Sequence, residues 1–510
     1  MYTEGFNSLS IRSDGIGYYA YLPSLFIFHD ISLYSFLHDK QQVLAYNRMQ
    51  ANGSAIGAWE TFKLVDMGDN KVALQASNGQ YVCAERGGGH SVVANRNAAY
   101  AWETFKLLYL GNTNVALQAY NGQYVCAEGG GGRGVVANCN TVGDWGIFKL
   151  VDLGNNNVAL RAHNGQYICS KNGGGIDKYP MGAAILIAPF FFAADLITVI
   201  TSQPRDGFSL LYQIAVFMAS IFYLLFGLVL TYRLLLQYYP KQTALVTLPL
   251  LTFGTGLFFY ATYDPSFSHV YSFFLVAAYL YALYRPSHSL IGVAVLPAIL
   301  LGLITLTRMP NIVLGIFLVF RELSFFWQEH PPTYQLTKRW TAMLIAFSVV
   351  ASLQFAYYYI ITGKFFIYSY EGEVFNWLNP QVLPVLFSVN KGLFFWYPIL
   401  LLSVVGIPFL LHYAKHLLSP FVLFHLAYLY IISSWWCWWY GGCFGMRPYV
   451  DVVAVFALSF AAAIDHFSAS RYRWMMWSLT IAAVIWYMLN RISITRLLRA
   501  NLPISACKDH

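Results

Sequence analysis

Two different patterns of apolar and polar residues share this 510-residue chain. Between residues 49 and 177, apolar and polar positions alternate over short runs, as in Val72-Ala73-Leu74-Gln75-Ala76, then Asn78-Gly79, then Tyr81-Val82-Cys83. Alternation over so few residues, interrupted by Asn-Gly, predicts half-buried strands joined by tight turns. From Pro180 onward the pattern changes to apolar runs at 181–201, 208–232, 243–262, 268–284, 288–307, 311–320, 340–361, 393–412, 419–436, 449–464 and 473–489. A helix needs roughly 17–25 such residues to cross a bilayer. The runs therefore predict a polytopic α-helical membrane protein of ten or eleven transmembrane helices, with 311–320 the shortest run.

The alternating part repeats itself. Trp59, Trp102 and Trp145 stand 43 residues apart, as do Asn78, Asn121 and Asn164. Each copy reads W-x-x-F-K-L, a short polar turn, V-A-L-x-A-x-N-G-Q-Y-[VI]-C, and a glycine run at Gly87–Gly89, Gly129–Gly132 or Gly173–Gly175. Three copies of about four strands predict an all-β domain over 49–177. The wording resembles the fascin-type branch of the β-trefoil fold. It lacks the Q-x-W signature of ricin-type lectins, so no sugar-binding motif comes with the resemblance. Trp, Phe, Leu and Tyr at repeat-equivalent places are read as barrel core, with a ligand groove as the alternative. Cys83, Cys126 and Cys169 recur at one spacing and are read as small buried positions rather than disulfide partners. Three whole repeats return the chain to its starting point, so the ends of the domain are expected to lie together, as insertion into another domain requires.

Composition narrows the class. Hydrophobic residues make up 57% of the chain and charged ones 11%, and mean hydropathy is +0.50, against roughly 25% charged in soluble domains. This excludes a single soluble domain, a polar disordered chain and a disulfide miniprotein. The net charge is +8, but residues 49–177 hold nine charges of each sign. The excess therefore lies in the hydrophobic part, where it marks cytoplasmic loops rather than contacts with nucleic acid. Met1–Gly17 carries neither the basic nor the apolar region of a signal peptide.

Basic residues gather at Arg233 and Lys241, at Arg285, at Arg321 with Lys338 and Arg339, at Lys415, and at Arg471 with Arg473. Those loops are expected in the cytoplasm. Counting crossings places 263–269, 308–311, 362–392 and 435–448 on the opposite face, with the β domain. Two apolar runs lie between that domain and Lys241, where an odd number is needed. Either 181–201 dips in and returns, or the charge rule fails locally.

The segment Arg12-Ser13-Asp14-Gly15-Ile16-Gly17-Tyr18-Tyr19-Ala20-Tyr21-Leu22-Pro23 resembles the first extracytoplasmic loop of GT-C membrane glycosyltransferases, the protein mannosyltransferase and aminoarabinose transferase group in particular. Further matches are Lys178-Tyr179-Pro180, Asp264-Pro265-Ser266-Phe267-Ser268-His269, Arg308-Met309-Pro310-Asn311, Tyr370-Glu371-Gly372-Glu373, Lys391-Gly392-Leu393-Phe394-Phe395-Trp396-Tyr397-Pro398, and Trp438–Arg447. The resemblance implies inverting sugar transfer from a polyprenyl-phosphate donor to an extracytoplasmic glycan, lipid or protein, in the bacterial inner membrane. No cofactor is implied. Transfer from a lipid phosphate needs a carboxylate to take the acceptor proton and cations to stabilise the leaving phosphate.

Asp14 stands at the family position of that base, and an Asp before Gly is otherwise a turn-former. Gly15 and Gly17 beside it are expected to let the backbone approach a substrate. Lys178, Arg308, Lys391 and Arg447 are candidate phosphate or pyranose contacts, or else residues that snorkel or set topology. Tyr179, His269, Glu371 and Glu373 are candidate substrate contacts; for His269 and the two Glu, loop solvation or helix capping is the plainer role. No D-x-D pair accompanies Asp14, so no metal site is expected. Residues 1–48 then form the first loop segment, without the transmembrane helix the family places ahead of it; 49–177 form the inserted trefoil and 178–510 the membrane transferase domain. The rival reading is an inactive or truncated membrane anchor that presents a carbohydrate- or protein-binding trefoil.

Overall fold

The computed structural model describes residues 11, 14–27, 49–77, 79–96, 98–132, 134–170, 178–287, 289–362, 365–370 and 373–499. The chain divides into two compact units, one of residues 28–177 and the other of residues 1–27 with 178–510.

The first unit is an antiparallel β domain of twelve described strands: β1 (Gln50–Gly53), β2 (Phe62–Gly68), β3 (Lys71–Ala76), β4 (Tyr81–Ala84), β5 (Val92–Arg96), β6 (Thr104–Gly111), β7 (Asn114–Gln118), β8 (Tyr124–Ala127), β9 (Val135–Cys139), β10 (Phe148–Gly154), β11 (Asn157–Arg161) and β12 (Tyr167–Cys169). The hairpins β2–β3, β6–β7 and β10–β11 join end to end through β3–β6, β7–β10 and β11–β2, so six strands close a ring with no free edge. The pairs β4–β5, β8–β9 and β12–β1 complete the three repeats. Pairing of β1 with β12 sets Gln50 opposite Cys169, so the first and last strands are neighbours. The inward positions carry Phe62, Phe105 and Phe148, each 0% exposed, over Leu74, Leu117 and Leu160.

Two expectations change here. The repeat tryptophans are not core: Trp59, Trp102 and Trp145 are 37%, 41% and 53% exposed. Two of them lie over glycines, where a Cβ at Gly87 would come within 3.1 Å of Trp102 and one at Gly130 within 3.4 Å of Trp145. Secondly, Cys126 is disulfide-bonded to Cys139, while Cys83 and Cys169 stay reduced and buried. Cys139 faces Cys126 from the adjacent strand β9, and its equivalent in the first repeat, Arg96, cannot form such a bond. The 43-residue spacing alone hid a pair that exists in one repeat.

The glycine runs hold the repeats together. Asn121 N donates to Gly87 O and Asn164 N to Gly130 O, both at 2.9 Å, so the first two runs each receive the N-G-Q turn of the next repeat. At Gly131 φ is +134°, and an added Cβ would sit 2.1 Å from Asn164 Oδ1. Gly131→Ala therefore combines backbone strain with a displaced turn. Residues 49–177 expressed alone are expected to unfold cooperatively, and Gly131→Ala to lower their stability by about 2–4 kcal/mol in urea titration.

The second unit is helical: α1 (Asp14–Phe26), α2 (Gly182–Ile200), α3 (Leu210–Leu235), α4 (Lys241–Gly254), α5 (Leu257–Thr262), α6 (Ser268–Tyr284), α7 (Leu296–Thr307), α8 (Gly315–Glu329), α9 (Thr333–Thr362), then short turns over 382–413, α10 (Lys415–Ser434), α11 (Val453–Ser468) and α12 (Arg473–Arg499). Among the described residues, five helices are long and apolar enough to cross a membrane, at 182–200, 210–235, 309–329, 333–360 and 415–434. Four more apolar helices, 268–284, 291–307, 398–413 and 453–468, are shorter. Ten or eleven full spans were expected. The run 243–262 breaks where Thr255 turns extended before Gly256, and 393–412 is cut into short turns around Pro398 and Pro408. The shortest expected run, 311–320, belongs instead to a continuous 21-residue segment. Helix α11 lies at the centre, with Val453–Ile464 all buried.

Candidate functional site

The four loops expected on one face come together in the helical unit. Helix α1 brings the first residue. Asp14 lies in the first turn of that helix, and Gly15 is required there for packing: a Cβ would overlap Ser266 Oγ at 1.9 Å. At Gly15 the close approach is to Ser266 of the 264–268 turn. Arg447 reaches Asp14 from the W-W-Y-G-G-C-F-G-M-R segment, with Nη1 at 2.7 Å from Oδ2. That segment is folded back by Gly445, whose φ of +57° and contact with the Tyr397 hydroxyl leave no room for a side chain. The K-G-L-F-F-W-Y-P and W-W-Y-G-G-C-F-G motifs are thus two sides of one joint, with Phe444 stacked on Phe259 at 4.4 Å.

Around this pair stand the other candidates. Tyr179 hydrogen-bonds Asp14 and lies ring to ring with Tyr18 at 4.5 Å. Lys178 forms an ion pair with Glu373, lies 5.0 Å above the Tyr370 ring, and accepts at its carbonyl from Ser369 Oγ (2.9 Å). Burial pushes the Asp14 carboxyl up, but Arg447, Tyr179 and Lys178 outweigh it and hold it below the ordinary aspartate value. Lys391 is buried 5.6 Å above the Trp396 ring and within electrostatic reach of Arg447; burial lowers its ammonium below the ordinary lysine value. Among the described residues Lys391 has no carboxylate partner within salt-bridge distance, and Arg447 Nε is buried with no acceptor. Glu371 lies outside the described residues.

Arg308 and His269 form a second network beside the first. Helix α7 ends at Arg308, whose extended backbone precedes a 3₁₀ turn, Met309–Leu314, that Pro310 initiates. This break aims both Arg308 and Asn311 at Asp451. Fully buried, Asp451 has His269 Nδ1 at 2.7 Å, Arg308 Nε at 3.0 Å and Asn311 Nδ2 at 2.9 Å. A carboxylate so close to Nδ1 fixes a proton there, and Arg308 Nη1 lies 3.4 Å from Nε2 on the other side of the ring. The Tyr428 hydroxyl, 3.0 Å from Asn311 Oδ1 and 2.8 Å from Pro448 O, closes the network. Arg447 is near enough to interact electrostatically with Arg308.

Asp451 escaped the sequence reading because it lies inside the apolar run 449–464. Its signal was the charge itself, since an ionisable residue in such a run faces a partner. Asn311 belonged to a recognised motif, but only its neighbour Arg308 was singled out. As a chemical arrangement, three carboxylates (Asp14, Glu373 and Asp451), two guanidinium groups, two ammonium groups and several tyrosines converge on one polar cluster. It can bind an anion and hold a carboxylate ionised beside it.

A family described only as a domain of unknown function (DUF7910) matches residues 69–127, within the β domain. No curated protein matches the chain. Among solved structures, a designed 3-fold symmetric protein, ThreeFoil, is similar at 26% identity over 18% of this chain and 71% of that one, with a TM-score of 0.17.

Proposed function

We propose that the chain is a membrane glycosyltransferase of the GT-C type, moving a sugar from a polyprenyl-phosphate donor to an extracytoplasmic acceptor, with a fascin-like β-trefoil inserted in its first loop. One observation carries the reading. Asp14, the residue at the family's base position, is paired with Arg447 beside Lys391, and the cluster keeps donors that no group among the described residues satisfies. A buried Arg N–H and an ammonium without a carboxylate suit a phosphate that arrives with the donor.

The chemistry follows from those groups. The acceptor oxygen forms its bond to the anomeric carbon as the bond from that carbon to the phosphate oxygen breaks. Asp14 takes the hydroxyl proton, and the charge left on the lipid phosphate falls to Arg447 and Lys391. Arg308, held by Asp451, supplies a second guanidinium nearby. The trefoil reading rests on the closed six-stranded ring with three further strand pairs, and the Cys126–Cys139 disulfide favours an oxidising, extracytoplasmic compartment for it. Its task in this reading is to bind a polysaccharide or a partner protein.

The test is transfer of radiolabelled sugar from a panel of polyprenyl-phosphate donors by the purified full chain, with extracted cell-envelope glycans and lipids as acceptors. Label is expected in one acceptor fraction, and Lys391→Met is expected to raise the donor KM by about tenfold or more, the cost of losing a charge-assisted hydrogen bond. Absence of transfer from every donor would leave the anchor as the better account.

A further inference from the structure

Helix α8 leads away from Asn311, so its far end at Glu329 is roughly 25 Å from the site. There the chain makes a sharp reversal: His330 adopts a left-handed φ of 43°, Pro331 and Pro332 follow, and α9 begins at Thr333. Between these two helices and Ser287, Leu290 and Val293 lies a cavity of about 550 Å³. Arg321, Phe325 and Glu329 line it from one face of α8, and Gln335, Lys338 and Arg339 from α9.

Its charge is positive and only partly answered. Buried Glu322 serves two guanidinium groups, Arg321 Nη1 at 3.4 Å and Arg339 through Nη2 and Nε, the latter at 3.1 Å. Arg339 also lies 3.9 Å above the Phe325 ring. Lys338 is exposed and makes no ion pair among the described residues. Three cations thus face two carboxylates. The outer surface at this level is aromatic: Trp327, Tyr334 and Trp340 are 68%, 68% and 54% exposed, with Leu323 and Phe326 also exposed. Exposed Trp and Tyr at the ends of long apolar helices mark the boundary between membrane and water, which is where lipid phosphates lie.

We propose that this cavity binds the headgroup of an anionic glycerophospholipid, its phosphate diester held by Lys338, Arg321 and Arg339 and its glycerol portion against Phe325. Basic pockets between membrane helices take such headgroups. The volume is within the roughly 300–1,000 Å³ of ligand sites and exceeds what a lone phosphate fills. The lipid-facing aromatics beside it favour a ligand that comes from the bilayer.

The full chain, purified in detergent and titrated with phosphatidylglycerol or phosphatidylcholine, is read by native mass spectrometry for retained lipid. Phosphatidylglycerol is expected to remain bound where phosphatidylcholine does not. Lys338→Glu, at an exposed and unpaired position that folding does not need, is expected to lower that retention about fivefold or more, and Lys415→Glu, at the start of α10, to leave it unchanged. Equal retention of the two lipids overturns the proposal. So does an equal loss in Lys415→Glu, which makes the effect one of general surface charge. Displacement of the lipid by an equimolar amount of inorganic phosphate identifies a site for soluble anions and overturns it too.

Discussion

Asp14→Asn is expected to lower sugar transfer by about 100-fold or more while leaving expression and detergent extraction unchanged. The factor is that of a positioned general base. Asn keeps the size and hydrogen-bonding capacity of Asp, and Arg447 Nη1 can still donate to its amide oxygen at the 2.7 Å position. What is lost is the charge that takes the acceptor proton. The sign of the pH dependence follows from the same contact. Arg447, Tyr179 and Lys178 hold the Asp14 carboxyl below its ordinary value, so the ion pair stabilises the fold above the unfolded-state pKa. That stabilisation is lost as pH falls through the lower folded-state value. Activity is therefore expected to stay level from neutral pH down through the usual carboxylate range and to fall only below it. A phosphate taken up at Arg447 Nε and Lys391 offsets the pull of Arg447 on Asp14 while the Nη1 contact stays, which raises the carboxyl toward its ordinary value and makes it a better base when donor is bound. A binding-dependent upward shift of the acid limb, between kcat/KM and kcat profiles, reports that step. Undiminished transfer by Asp14→Asn removes the base assignment.

Removal of the Asp451 carboxylate should cost the helical unit the most. Asp451→Ala strips an acceptor from His269, Arg308 and Asn311 at once, in a place where no water-exposed face is available to the carboxylate it replaces. Breaking a buried ion pair from one side typically costs about 3–5 kcal/mol, because the partner charge is left unanswered. A drop of that size in the thermal or denaturant stability of the detergent-solubilised chain is expected. In the Asp451→Ala, Arg308→Met double variant the unanswered guanidinium is gone. Its loss should then be smaller than the sum of the two single losses by about 1 kcal/mol or more. Strict additivity would mean that Arg308 and Asp451 do not depend on each other for stability.

The repeat of 43 residues, the strand grammar within it, and the apolar runs after Pro180 were legible in the sequence because each rests on local periodicity. Side chains two or four residues apart share a face whatever surrounds them, so alternation announced the β domain and continuous apolarity the helices. That four particular loops would meet was also legible in part, since positive charge sorted 263–269, 308–311, 362–392 and 435–448 together before any contact was known. Helix ends were less so: the breaks at Thr255 and Pro398 depend on how Gly256 and Gly445 fit against Tyr397, a contact between distant segments. Repeat spacing could not tell that Cys126 has a partner in Cys139, because equivalence between repeats says nothing of the neighbouring strand. Tertiary structure alone decided the partners within the cluster. Asp14 and Arg447 are 433 residues apart, and Asp451 meets His269 from 182 residues away. Pairings over such distances are set by which helices pack side by side, and the packing is chosen by burial of whole faces that no short window of sequence contains.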